Sequence, residues 1–244
     1  MIKSLFKILY IFILFLLSII NGFSQKKENY NNLSYEEIEK RIDDPNTTQV
    51  EDSYLINLYI NKSKIEKNDE SLFYAYRYAS KFYNPPISFK YADSALITGI
   101  KSKNKKLLTD AYLNKGVVLM DNSLYDEALD NILIANKYSI ELNNDYIFNK
   151  TIYYIAQNKI YLGLYEDANK ELEICIKYFR NNLKNKDLGK DYEIYYIYSL
   201  MSLIDSNIKI GKYQVNKDLL SEAYNYLNII QYCPKKKLLK IETA

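Results

Sequence analysis

Apolar side chains recur along this chain in a rhythm of threes and fours, which is the period of an amphipathic helix. The rhythm is clearest between Tyr112 and Ala135, YLNKGVVLMDNSLYDEALDNILIA. Tyr112, Gly116 and Leu119 lie along a first helix, Asp121-Asn122-Ser123 interrupts with turn formers, and Tyr125, Ala128, Leu129, Ile132 and Ala135 mark one face of a second. Gly116, Ala128 and Ala135 fall where two helices must approach closely, because side-chain size at the contact sets how near two helix axes can come.

The same two-helix unit recurs on both sides. Upstream, Tyr76, Ser80 and Tyr83 mark a first helix, and Asn84-Pro85-Pro86 ends it because proline cannot continue a helix. Ala92, Leu96 and Gly99 then give the small–large–small face of a second helix. Downstream, Ile152, Ala156 and Lys159 form a weaker first helix, followed by Gly163-Leu164-Tyr165 and the triplet Ala168, Leu172 and Cys175. A polar insert from Asn181 to Lys190 precedes a last unit, with Leu200, Ile204 and Asn207, then Gly211-Lys212-Tyr213, then Asn216, Leu220 and Ala223. Asn216 breaks the small-residue rule, so this unit is degenerate. Ahead of the units, Ser34-Tyr-Glu-Glu reads as a capping box opening a short helix to about Arg41, which stops before Asp43-Asp44-Pro45. A second helix is expected from about Glu51 to Ile65, with Tyr54, Leu55, Leu58 and Tyr59 on its apolar side.

An aromatic, a glycine and a large residue, followed by alanine, a large residue and alanine, is a pattern that resembles the tetratricopeptide repeat (TPR). Tyr112, Gly116, Leu119, Ala128, Ile132 and Ala135 fill its places, while Lys115 departs from the usual leucine and Ile140 stands where a closing proline would be. Ala92 and Ala128 are 36 residues apart and Ala128 and Ala168 are 40, against about 34 in that family, with the extra length near Asn143-Asn144-Asp145. The resemblance implies an all-α fold, a right-handed TPR superhelix (α-solenoid) of antiparallel helix pairs, each burying its face only against neighbours. The repeat domain is expected over 48–230, with units near 74–104, 108–142, 150–180 and 196–228, after a polar lead-in at 25–47 and before an unstructured tail at 231–244. Gly116, Ala92, Ala128, Ala135, Ala168 and Cys175 become the repeat-packing residues.

In such an array the concave groove is lined by the first helices, which implies Tyr74, Arg77 and Lys81, then Leu113 and Val117, then Lys150, Tyr153 and Gln157 as partner-binding positions. Tyr198, Met201 and Asp205 hold the same places in the last unit. That mixture of aromatic, apolar and cationic groups suits an extended peptide or an amphipathic helix. It differs from the chaperone-tail clamp, in which Lys and Asn recur at set places.

Met1 to Phe23 carries Lys3 and Lys7, then an apolar run from Ile8 to Ile20, too short for the roughly 20 residues of a full span. Small residues at Gly22 and Ser24 predict a signal peptide over 1–24, and export to the periplasm or medium. The alternative is an uncleaved segment, residues 4–23, anchoring the chain in the inner membrane. The apolar run is not followed by a cysteine, which argues against a lipoprotein.

Composition removes most enzymatic readings. The chain has no histidine, so histidine triads, histidine bases and nearly all zinc sites are excluded. Its two cysteines, Cys175 and Cys233, cannot form a metal cage; Cys175 reads as a buried free thiol, with a disulfide to Cys233 as the alternative after export. Glu171 and Glu173, like Glu127 and Asp130, read as exposed helix faces, and no catalytic pair or cofactor motif emerges. Net charge is +3, or +1 without Lys3 and Lys7, which gives no electrostatic reason for nucleic-acid binding. The lysines from Lys101 to Lys106 read as a solvated turn between units. Twenty-seven tyrosines and no tryptophan make tyrosine the main core filler.

A narrower resemblance rests on the ending Phe-Ser-Gln of the signal segment, Leu-Ser-Tyr-Glu-Glu-Ile-Glu (33–39), Tyr-Ala-Asp-Ser-Ala (91–95) and Ala-Tyr-Leu-Asn-Lys-Gly (111–116). From Leu33 to Tyr226 the chain resembles the exported sensor half of TPR regulators from Bacteroidetes, in which one membrane helix and an AraC-type DNA-binding domain or a histidine kinase follow. Here neither follows, and the tail from Cys233 looks like that of a truncated or frameshifted reading frame. The resemblance implies a non-enzymatic protein- or peptide-binding sensor that does not contact DNA itself; the alternative is a periplasmic TPR adaptor for envelope assembly. Self-association through the last repeat is also expected, because no polar capping helix closes the array.

Overall fold

The computed structural model describes residues 32–183, 190–214 and 216–229, and the expected signal peptide (1–24), the expected tail (231–244) and Cys233 lie outside them. The described residues form helices and turns, with no strand: α1 (Tyr35–Ile42), α2 (Gln49–Ile65), α3 (Asp69–Phe82), α4 (Ile87–Lys101), α5 (Lys105–Met120), α6 (Tyr125–Glu141), α7 (Asp145–Tyr161), α8 (Tyr165–Asn182), α9 (Lys190–Lys209) and α10 (Asn216–Ile229). None of these helices is long and apolar enough to cross a membrane.

Local chemistry sets the helix boundaries. The Ser34 hydroxyl accepts from the Glu37 amide at 3.2 Å while the Glu37 carboxylate accepts from the Ser34 amide at 2.7 Å, completing the capping box. The helices α3, α5 and α7 all start behind an asparagine, Asn68, Asn104 or Asn144, whose side chain accepts from the first-turn amides. The helices α6 and α8 lack a side-chain cap and follow tight reversals instead, in which the Leu124 amide donates to the Leu119 carbonyl at 3.0 Å and the Leu164 amide to Lys159 at 2.8 Å. Each reversal needs one left-handed residue: Ser123 within the α5–α6 pair, Gly163 at φ +78° within α7–α8, and Asn143 between α6 and α7.

Consecutive helices pack against each other, and α3, α5, α7 and α9 also touch in series, so they form one layer with the even-numbered helices stacked behind it. The core runs along the seam, from Ile38, Leu55 and Tyr59 through Phe73, Ile132 and Leu172 to Phe179 and Leu200. Ala92, Ala128, Ala135, Ala168 and Cys175 are fully buried in it. At Gly116 a β-carbon would stand 2.5 Å from Ile132 Cγ1 and 3.0 Å from the Ala128 carbonyl oxygen, so α5 and α6 meet there backbone to side chain.

Several sequence expectations change. In α2 the inward residues are Leu55, Ile56, Tyr59 and Ile60, while Tyr54 is exposed, because α2 is packed between α1 and α3 rather than on one side. Glu171 is not on an exposed face: it is partly buried and paired with Lys159 at 2.6 Å across α7 and α8. Burial raises its carboxyl above the ordinary range, and Lys159 opposes that shift. Lys115, in the place of a leucine, reaches over Phe89 to Asp93 at 2.7 Å. In both places a cation bridges one helix pair where an apolar contact was expected.

The last unit differs most. Leu220, expected as its large inward residue, is 53% exposed, and Leu219 packs inward instead. The helix starts at Asn216, later than the tyrosine that opens α6 and α8, and its polar residues fix its roll. Asn216 donates to the Ile204 carbonyl at 3.0 Å and accepts from Asn207, which in turn accepts from Asn169. Glu222 holds Arg180 at 2.7 Å and accepts from the Tyr196 hydroxyl.

Candidate functional site

The sequence resemblance places the expected trough on the open face of the odd-numbered layer, and the residues of that face follow from helical spacing. Positions i, i+3, i+4 and i+7 on each helix put Tyr74, Arg77, Tyr78 and Lys81 of α3 on one side, with Asp110, Leu113, Asn114 and Val117 of α5 in the same places. The helix α7 contributes Lys150, Tyr153, Tyr154 and Gln157, and α9 contributes Tyr198, Met201, Ser202 and Asp205.

Arg77 lies across aromatic rings, 4.9 Å from the Tyr74 centroid and 5.8 Å from that of Tyr78. Tyr78 is held in turn by donating to Asp43 at 3.1 Å. Two helices along, the Lys150 ammonium stands 6.0 Å from the Tyr195 ring. Burial pushes the Lys150 ammonium below its ordinary range; Arg77 and Lys106 push the same way, and Asp110 and Asp191 oppose them. Burial likewise raises the Tyr74 phenol, with Asp110 adding to the rise and Arg77 opposing it. Arg77, Asp110 and Lys150 therefore share one electrostatic neighbourhood on successive helices.

Aromatic packing ties α7 to α9 in the far half of the trough. Tyr153 stacks on Tyr198 with centroids 6.4 Å apart and meets Tyr195 edge-on at 5.4 Å, and the hydroxyls of Tyr154 and Tyr195 are 3.4 Å apart. The Gln157 amide donates to the Ser202 hydroxyl, tying α7 to α9.

The structure does not place all the expected trough residues alike. Arg77, Tyr74, Val117, Lys150 and Gln157 are partly exposed, and Lys81 is exposed at the end of α3. Leu113, 3% exposed, packs with Ile132, Ala135 and Ile155 beneath the trough, and Tyr153, 8% exposed, supports its floor. Asp110, Tyr78, Tyr154 and Tyr195 join the face without having been singled out. Asp110 was legible in principle, because it holds the place in α5 that Tyr74 and Lys150 hold in their helices. The Cys175 sulfur contacts the Asn149 carbonyl at 3.4 Å, and burial pushes its thiol up to about 12. Among the described residues, no group of three or more acid or thiol side chains is placed to hold a metal ion.

No protein-family model matches the chain, and no curated protein does. Solved structures do. BtubC (BKLC) from P. vanneervenii superposes with a TM-score of 0.59 at 13% identity over 86% of this chain and 93% of its own. TPR-like repeats described as kinesin light chain from Podosopora anserina give 0.55 at 11% identity, over 82% and 95%. A Rap protein complexed with Competence and Sporulation Factor gives 0.54 at 17% identity, over 79% of this chain and 57% of that one. The fold is thus the all-α TPR-like solenoid that the repeat pattern implies.

Proposed function

We propose that the trough binds a protein segment, and that this chain is a non-enzymatic TPR-type scaffold serving as the exported sensing portion of a regulator. The observation that carries the binding role is the pair of cations laid over aromatic rings in the trough: Arg77 on Tyr74 and Tyr78, and Lys150 beside Tyr195. Ring faces and cations held in a partly desolvated groove suit an extended segment with acidic and aromatic side chains, since both are prepaid in conformational freedom. The Rap neighbour, whose structure holds Competence and Sporulation Factor, lends the same reading support by analogy of fold. The sensing role rests on the sequence resemblance from Leu33 to Tyr226, and export rests on the apolar segment at 8–20.

A second reading, an adaptor for envelope assembly, draws on the opposite layer. Ile97, Leu133 and Ile174 are each about half exposed on α4, α6 and α8, one on each of three successive outer helices.

The test is capture from envelope and periplasmic extract, comparing wild type with the Arg77→Glu/Lys150→Met double variant and with an Ile97→Lys/Ile174→Lys variant. A partner retained by the outer-face variant and lost with the double variant supports the trough. A partner retained by the double variant and lost with the outer-face variant overturns it in favour of the adaptor.

A further inference from the structure

A second cleft, of about 540 Å³, opens where one edge of the stack gathers three helix ends. It is lined by Asn143 and Asn144 of the α6–α7 turn, Asp145 and Tyr146 of the first turn of α7, Tyr178 near the end of α8, and Asp191 and Tyr192 in the first turn of α9. Every ionisable group in that lining is an acid or a phenol, and none is a cation.

The rings form a wall rather than a loose lining. Tyr192 lies 4.9 Å from Tyr146 and 6.1 Å from Tyr178, and Phe179 meets Tyr146, Tyr178 and Tyr192 edge-on from the buried side. Hydrogen bonds fix the phenols: Tyr146 donates to Asp191 at 3.2 Å, and the hydroxyls of Tyr178 and Tyr192 are 3.5 Å apart. The two carboxylates are distributed along the wall, with Asp191 at Tyr146 and Asp145 near enough to raise the Tyr178 phenol, after burial and Tyr192.

Asp145 and Asp191 also serve as ordinary first-turn acids, each facing a helix N-terminus that carries roughly half a positive charge. The C-terminal end of α8, bringing about half a negative charge to the same edge, cancels one of those two contributions. Two full negative charges against about half a positive charge, with Lys150 facing Asp191 from the trough side and offsetting part of the excess, leave the cleft anionic with aromatic faces beside it.

The geometry points to a binding cleft for a primary ammonium group of the kind a lysine side chain carries, seated against the Tyr146–Tyr192–Tyr178 wall and the carboxylates of Asp145 and Asp191. Carboxylates accept N–H bonds, and the ring faces attract the same cation, so the two features select one ligand chemistry. The cleft lining does not include the trough residues Arg77 and Lys150, although Asp191 lies within electrostatic reach of Lys150 and Tyr146 packs on Tyr195 beneath it.

The test uses the full chain labelled with ¹³C-tyrosine, titrated with N-acetyl-lysine N-methylamide and, as the uncharged isostere, N-acetyl-norleucine N-methylamide. Single Tyr→Phe variants at 146, 178 and 192 assign the ring signals. The expected result is saturable shifts confined to those three rings, with the norleucine compound and the Asp145→Asn/Asp191→Asn variant each weaker by roughly tenfold or more. Equal response to the norleucine compound in the wild-type chain, or no saturable shift with the lysine compound, overturns the assignment. The arm with norleucine needs no substitution, so a double variant that folded poorly would not blunt the test. The Arg77→Glu/Lys150→Met variant is expected to bind the lysine compound at least as tightly as wild type, because it removes a cation within reach of Asp191; a weaker response would place the compound in the trough instead.

Discussion

Substituting alanine at Gly116 adds one methyl group at the tightest point between α5 and α6. The new carbon would stand 2.5 Å from Ile132 Cγ1, 3.3 Å from Ile132 Cδ1 and 3.0 Å from the Ala128 carbonyl oxygen. The carbonyl belongs to helix backbone and cannot yield alone, and a β-branched side chain in a helix has essentially one χ1 rotamer. Ile132 is fully buried against Leu113, Ala135 and Ile155, which closes its escape routes. Overpacking of this kind costs about 1–3 kcal/mol. Against it stands the gain of about 1 kcal/mol from replacing glycine by alanine inside a helix. With backbone among the colliding atoms, the upper part of the range applies, and the net loss is about 1–2 kcal/mol. For a chain of this size that lowers the thermal midpoint by roughly 2–8 °C. The assay is urea and thermal unfolding followed by circular dichroism, run as a cycle with Ile132→Ala. In that background both Ile132 atoms are gone and only the 3.0 Å approach to the Ala128 carbonyl remains, offset by the gain of about 1 kcal/mol from replacing glycine, so Gly116→Ala should cost clearly less there, a coupling of about 1 kcal/mol or more. A Gly116→Ala protein as stable as wild type, or one that loses the same stability in both backgrounds, would refute the argument that close approach fixes this glycine.

Three further outcomes follow from the same packing. Leu220→Lys should leave stability within about 0.5 kcal/mol, whereas Leu219→Lys should cost more than about 1 kcal/mol; equal melts would mean that α10 is not rolled as described. In a Cys233→Ser background, Cys175 should resist iodoacetamide at pH 8 until the chain unfolds, because burial pushes its thiol up to about 12; alkylation at the rate of an unfolded peptide would contradict that burial. Alkaline stability should fall in one direction only. Burial raises the phenols of Tyr153 and Tyr195 well above their ordinary value and pushes Tyr226 to about 12, so the folded state favours the neutral ring. The unfolded tyrosines ionise near 10, so this stability is complete below about pH 10 and is lost as pH rises through the folded values. Urea midpoints measured from pH 8 to 11.5 should decline above about 10, and a midpoint that rose there would show the phenols are not held neutral by burial.

What the sequence determined by itself was the helical repeat. Its three-and-four rhythm, its turn residues and its small residues at Gly116, Ala92, Ala128 and Ala168 are local or nearest-neighbour features, and in a solenoid each unit packs only on its neighbours. The shared face of the first helices was legible for the same reason, because equivalent positions on successive helices must lie on one side. Tertiary structure alone decided how deep each position lies: Leu113 sinks into the core while Arg77, in the equivalent place on α3, stays partly exposed over two rings. It also decided the pairings that replaced apolar contacts, Lys115 with Asp93 and Lys159 with Glu171, since a cation at a leucine position gives no sign of its partner on another helix. The roll of α10 follows the hydrogen bonds of Asn169, Asn207 and Asn216, of which the sequence pattern marked only Asn216 as a break in the motif. A buried asparagine must find partners for its amide, and which way a helix turns to supply them depends on neighbours that periodicity does not name.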